Sequence, residues 1–397
     1  MDNPRASNRV IQPQLFIFLF SLCNGIGNPM LIVRDSVEDL QLLNYQIVLH
    51  STFIYEVDEQ ANDYCKTILQ ATAFPGNIYF AGDLAKFADH AAALTIQLHS
   101  GSDDFLVIVT AGTPCKSISF GSRLNVSRTQ FGLHAPPSNV WWLAYSGIKI
   151  LYTKYPNRLL TFVENVRPPE VDLRELDRTA GHRNTMNVPS GAGIPRNRFV
   201  WTNYPFPNFP PDFLSQQRTR DQYGRPILPF PLQYQSRSSG LPCLRAIFPK
   251  LFWQQAEEDP ALSAQDKNTV QSCYIWNAIT EKVTLPPLAV WCDMLGFPVH
   301  LLQAIQSKFP CSGQIRTWPA SGLLEGACGD WAYCPACSSF LQALGESWHV
   351  DVTRHYFTTF LLHYFEHHRY NTESKPFAFI VPEHKCGPKC IFSRRHL

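Results

Sequence analysis

The sequence predicts an α/β protein built on a doubly wound parallel sheet, with a smaller subdomain inserted late in the chain. Three observations predict it. Short apolar runs alternate with helical patterns through the first half of the 397 residues, as βαβ units do. Polar or acidic residues stand just after several of those runs, where open α/β sheets bind ligands. From Phe206 to Pro287 the texture changes: proline is dense at first, and no long helical period is clear before Leu285. With 45% hydrophobic and 17% charged residues the chain is a folded one. Its net charge of +2 gives no global nucleic-acid signal, so any basic surface must be local.

The first run, Leu15–Leu22, follows Arg5 and Arg9 and so begins as a secretory leader does. It spans only about eight residues and leads into a glycine turn, Gly25 and Gly27, where a cleavage site would have to stand. It is expected to be the founding strand of the sheet, in a protein that is not secreted and keeps its cysteines reduced. Twelve cysteines are too sparse for a small disulfide scaffold. No run of eighteen apolar residues occurs, so no membrane partner is expected.

Gln46–Tyr55 is the second strand, closed by Glu56, and Ala61, Cys65 and Ile68 mark a helix after it. Ile78–Phe80 leads to Gly82-Asp83, and Phe105–Thr110 ends in the turn AGTPC. Trp141, Ala144, Ile148 and Leu151 share a helix face that Pro156 stops. Leu159–Val163 is a strand ending at Glu164, and Phe199–Trp201 is a further short one. Helical patterns return at Leu288–Leu295, Leu301–Phe309 and about 351–366, while 311–340 reads as a Gly/Cys loop. These textures divide the chain into a core at 1–205, the insert at 206–287, and a second part of the core at 288–397.

Cys115 follows a proline at the end of a buried strand, Glu164 ends another, and Arg196 and Arg198 share one face of a third. Alone, each has an ordinary reading: a core cysteine, a surface carboxylate, a solvated basic face. Their order along the chain gives them joint meaning. The combination resembles the DNA (cytosine-5) methyltransferases, whose PC, ENV and RxR blocks occur in this order. "FSLCNGIGNPMLIVRD", "FIYEVDEQA", "YFAGDLAKF", "FGLHAPPSNVWW", "MLGFPVHL" and "GESWHVDVTRHYF" are similar to further blocks of that family. The last two, with "RNRFVWTNYP", look closest to the eukaryotic de novo enzymes.

The resemblance implies a Rossmann-like S-adenosylmethionine-dependent methyltransferase sheet carrying a target-recognition subdomain. It implies Cys115 as the nucleophile toward C6 of a flipped cytosine, and Glu164 at the base's N3. Arg198 would then lie on the O2 side, with Arg196 bracing the same loop. S-adenosylmethionine is the cofactor implied, held by Cys23, Asn24, Gly25, Ile26, Gly27, Glu56, Val57, Asp83, Pro114, Ser347 and Trp348. Glu56, at a strand end, suits both ribose hydroxyls, and Asp83 the adenine amino group. Cys23-Asn24 stands where the family usually has Phe-Asp, Glu346 where close relatives carry arginine, and Ile194 where glutamine is common.

Duplex DNA is the partner expected, with Arg218, Arg220, Arg225 and Arg237 in the insert as phosphate contacts. The family also implies homo- or hetero-oligomers with related methyltransferases, and a nuclear site in a eukaryotic host or a cytoplasmic one otherwise. Two alternatives stay open: an RNA (tRNA) cytosine-5 methyltransferase, and a weakly active regulatory homologue that binds DNA or a partner methyltransferase. No metal is required by this chemistry, although Cys328, Cys334 and Cys337 form a CPAC-containing candidate for structural zinc.

Overall fold

The computed structural model describes residues 14–96, 104–115, 118, 132–188, 196–207, 234–236, 275–277, 282–284, 288–310, 334–369 and 376–377. Seven strands, β1 (Leu15–Leu22), β2 (Ile47–Tyr55), β3 (Asn77–Phe80), β4 (Asp104–Ala111), β5 (Leu159–Val166), β6 (His182–Val188) and β7 (Arg196–Thr202), form one sheet. Its order is β3-β2-β1-β4-β5-β7-β6, so the winding reverses between β1 and β4. The expected all-parallel sheet needs one correction. β7 runs antiparallel to both neighbours, because it returns from β6 as a hairpin partner and inserts beside β5.

β1 is buried on both faces, which is why its sequence is an unbroken apolar run. Leu15, Ile17 and Leu19 join one core, and Phe18, Phe20 and Leu22 the other. The first core is closed by α1 (Asn28–Leu42) and α2 (Glu59–Ala71), and by four helices from the end of the chain. These are α6 (Leu288–Met294), α7 (Val299–Lys308), α8 (Pro335–Glu346) and α9 (Val350–His367). The second is closed by α3 (Phe87–Ala93), α4 (Trp141–Lys154) and α5 (Glu170–Thr179). α3 and α4 pack closely because Gly147 has no side chain: a Cβ there would lie 2.3 Å from the Phe87 ring.

α8 corrects the expected loop over 311–340, whose last part is helical from Pro335. Proline suits a first helical turn, where its missing N–H is not needed. Within the insert, Tyr234–Ser236, Ile275–Asn277 and Lys282–Thr284 are β8, β9 and β10 of a separate three-stranded antiparallel sheet. Arg218, Arg220, Arg225, Arg237, Ile194 and Cys328 lie outside the described residues.

α9 returns the chain to its beginning. Arg354 spans to α1, placing Nε 3.0 Å and Nη2 2.5 Å from the two oxygens of Asp39. Thr358 donates to Ser36 Oγ at 2.8 Å. The turn before α9, which carries Ser347 and Trp348, is thereby brought to the carboxyl ends of β1 and β4.

Candidate functional site at the strand ends

The β1–α1 turn is shaped by positive φ values at Cys23 (52°), Gly25 (57°) and Gly27 (99°). Gly27 caps α1, and a Cβ there would press to 3.0 Å from Cys65 Sγ. The Gly25 N–H donates to Glu56 Oε2 at 2.8 Å, joining the ends of β1 and β2. Glu56 Oε1 accepts from the N–H groups of Val57 (2.9 Å) and Asp58 (3.0 Å). A carboxylate offers about four lone-pair sites. Among the described residues three are filled, which leaves Oε2 room for one ribose hydroxyl where the sequence suggested two. Val57 is 70% exposed beside this acid. Asp83, one strand further out, accepts from the Ala85 N–H at 2.9 Å and keeps an exposed carboxylate.

The Asn24 side chain turns inward. It is buried, accepts from Ser21 Oγ at 2.8 Å, and donates toward Cys65 Sγ at 3.2 Å. Ile26 is also buried, within the first core, so only its main chain is at the turn. Burial and the nearby Glu56 charge push the Cys23 thiol well above the usual cysteine range. Burial likewise pushes the Cys65 thiol up to about 12. Both therefore stay protonated near neutral pH.

The late turn roofs this cradle. A Cβ built on Gly25 would have Ser347 Oγ at 3.8 Å, and Asn28 Nδ2 donates to the Trp348 carbonyl at 2.7 Å. Trp348 packs toward β5, 5.7 Å from the Phe162 ring, and its indole nitrogen would meet a Cβ on Gly112 at 2.6 Å. Ser347 Oγ and Asn28 Oδ1 are buried with no hydrogen-bond partner among the described residues. Orphaned polar atoms beside an open glycine fit a polar ligand such as the cofactor's amino-acid end. Glu346 is exposed on the outer side of α8.

The cysteine turn leaves β4 next door, with the Gly112 N–H donating to the Leu22 carbonyl at 3.2 Å. Among the described cysteines, Cys23 and Cys115 are the two that keep some exposed surface, although the Cys23 thiol itself is desolvated. The Pro114 carbonyl accepts from Ser138 Oγ at 2.8 Å. Asn165, directly after Glu164, donates to both Thr113 O and Thr113 Oγ1 at 3.1 Å. Neither Asn165, Thr113 nor Ser138 is singled out by sequence reasoning; a polar residue beside Glu164 in a buried strand was the available signal.

Glu164 is 6% exposed and inside β5, which continues to Val166. Arg198 of β7 pairs opposite Val166, and its Nε lies 2.7 Å from Glu164 Oε1. That contact is an ion pair off the direction of a hydrogen bond: Oε1 has no hydrogen-bond partner among the described residues. The antiparallel course of β7 is what carries Arg198 to the carboxyl end of β5. Arg196 opens the same strand, opposite Val188. Cys334 and Cys337 lie in the first core, and no group of three His, Cys, Asp or Glu among the described residues is arranged to hold a metal. No helix among them is long and apolar enough to cross a membrane.

No family model and no curated protein sequence matches the chain. Solved structures similar to part of it include an rRNA methylase from Streptococcus thermophilus, at 11% identity and TM-score 0.23, over 48% of this chain and 87% of that one. An S-adenosylmethionine-dependent methyltransferase from Clostridium acetobutylicum is similar at 12% identity and TM-score 0.18, over 44% and 50%. The bifunctional kinase-methyltransferase WbdD is similar at 11% and 0.23, over 49% and 38%. The strand order, reversing between β1 and β4, is that of a Rossmann-like doubly wound sheet with an antiparallel β7. The roles of single residues follow from this chain's own geometry.

Proposed function

We propose that the chain is an S-adenosylmethionine-dependent DNA (cytosine-5) methyltransferase with Cys115 as its nucleophile. The observation that supports this most is the lacing of the Cys115 turn, through Asn165, to the strand that carries the buried Glu164–Arg198 pair. Bound at the ends of β1 and β2, S-adenosylmethionine would supply an electrophilic methyl group. Glu56 would accept a ribose hydroxyl, Val57 would offer an apolar surface to the purine, and Asp83 would accept from its amino group. Ser347 and Asn28 would meet the amino-acid end. The target base must leave the helix stack to reach a site at the floor of the strand ends.

Cys115 adds as thiolate to C6 of cytosine, and the new C–S bond turns C5 into an enamine-like nucleophile. Glu164, oriented by Arg198, bonds N3 and carries the proton that the ring needs as electron density moves onto it. Once C5 carries the methyl group, loss of the C5 proton to a base and expulsion of Cys115 restore the aromatic ring. Arg218, Arg220, Arg225 and Arg237 would contact phosphates. A nuclear site and pairing with related methyltransferases complete the reading.

The test is a duplex containing 5-fluorocytosine, whose C5 cannot lose a proton, incubated with S-adenosylmethionine. Wild type should form a covalent complex with it, and Cys115→Ala should not. Glu164→Gln should lower methyl transfer roughly a hundred- to ten-thousandfold. Methyl transfer to tRNA and not to DNA would replace this reading with the RNA one. Binding of DNA or a related methyltransferase without trapping would replace it with a regulatory role.

A further inference from the structure

We infer that Asn165, seconded by Ser138, is the positioning residue that aims the Cys115 thiol; the inference rests on Cys115 being the nucleophile. Three successive carbonyls of the cysteine turn are each committed to a donor. Thr113 O takes Asn165 Nδ2 at 3.1 Å, Pro114 O takes Ser138 Oγ at 2.8 Å, and Cys115 O takes the Ile118 N–H at 3.0 Å. Peptide planes are rigid, so fixing the carbonyls before and after Cys115 fixes the direction of its Cα–Cβ bond, from which the thiol projects. Two of the three donors are side chains from other elements, β5 and the turn before α4.

Asn165 is the stronger of the two. It is 2% exposed, and its orientation is set chemically, since Oδ1 accepts from the Val166 N–H at 2.8 Å. Nδ2 must then face Thr113, where it meets both the carbonyl and the hydroxyl oxygen at 3.1 Å. The same residue sits one position after Glu164. One side chain thus sets the register between the strand bearing the acid and the turn bearing the thiol. Aspartate in its place would put an acceptor, and a charge, against two acceptors. A misplacement of even about 1 Å at a reacting group costs on the order of a hundredfold in rate.

The experiment measures iodoacetamide alkylation of Cys115 in the full chain, followed at the Cys115 peptide by mass spectrometry between roughly pH 6 and pH 10. Wild type, Asn165→Ala, Asn165→Asp and Ser138→Ala are compared, with thermal melts as the folding control. Asn165→Ala should slow alkylation at neutral pH by about tenfold, and Asn165→Asp should move the profile to higher pH by about one unit. Ser138→Ala should slow it less, and Ser138→Thr should restore it. Unchanged Cys115 profiles in variants that melt as wild type does would overturn the inference. If Asn165→Ala does not fold, the Ser138 pair decides alone: equal rates for Ala and Thr would overturn it. Alkylation needs neither cofactor nor nucleic acid. Altered profiles in a chain that transfers no methyl group would therefore uphold the positioning role while removing the proposed activity.

Discussion

A methyl group added at residue 112 would fall 2.6 Å from the Trp348 indole nitrogen, a distance at which something must move. Trp348 is buried and wedged against Phe162, so the wedge and the cysteine turn would be forced apart. Gly112→Ala should therefore cost about 1–3 kcal/mol of stability and weaken S-adenosylmethionine binding, as calorimetry and a melt would measure. Asn24 calls for a different experiment. Its amide is spent on Ser21 and Cys65 inside the fold, so Asn24→Asp, which restores the residue usual in the resembling family, buries a carboxylate beside a thiol that burial keeps protonated near neutral pH. A lowered melting temperature, by about 1–3 kcal/mol in stability, without tighter cofactor binding is the expected result. Tighter binding would mean that the side chain turns outward.

At the scale of elements, the weight falls on α9. Its guanidinium fork at Arg354 is bidentate on Asp39 and partly exposed. Arg354→Met should then cost about 1 kcal/mol at low salt and less at high salt, seen in urea titrations. The helix and its surroundings also carry the pH response. Burial lowers the imidazoles of His355, His363 and His368 on and just after α9; neighbouring histidines add to this for His363 and His368. A lowered imidazole stabilises the fold above its ordinary value of 6.5, and that contribution is lost as pH falls through the folded-state value. His134 runs the other way, raised by its hydrogen bond to Glu175, and its contribution fades as pH rises. The melting temperature should fall below about pH 6.5, and the double variant His363→Gln, His368→Gln should flatten that limb.

Elements also show what was legible. β1, β2, β4 and β5 are apolar runs because both faces are buried, and their ends lie within a few residues of where periodicity puts them. β6 was missed because it is an edge strand, HRNTMNV, with His182, Arg183 and Thr185 facing out. α1 is hard to read as a helix because it is buried on most of its surface and begins at a glycine with no side-chain cap. The direction of β7 has no local signature at all. It is set by pairing with β5 and β6, and it decides where Arg198 goes.

Across the whole molecule, positions that a motif marks were legible, and contacts between distant segments were not. Cys115 and Glu56 follow strands that the sequence marks, and Glu164 lies two residues inside the end of another. That Trp348 meets Gly112, or that Asn165 holds Thr113, depends on a sheet whose neighbours are far apart in the chain. The cradle at Gly25 has its floor in the β1–α1 turn and its roof at Ser347 and Trp348, the latter 320 residues after Asn28. Synthesis runs from the amino terminus, and early parts fold as they emerge. A chain still on the ribosome with β1 to β5 exposed would own its thiol and its acid, yet have no lid over the methyl donor. Competence would thus wait for the turn at Ser347 and Trp348, as a timing property of translation, and a chain stopped at Leu344 should fail to retain S-adenosylmethionine in equilibrium dialysis.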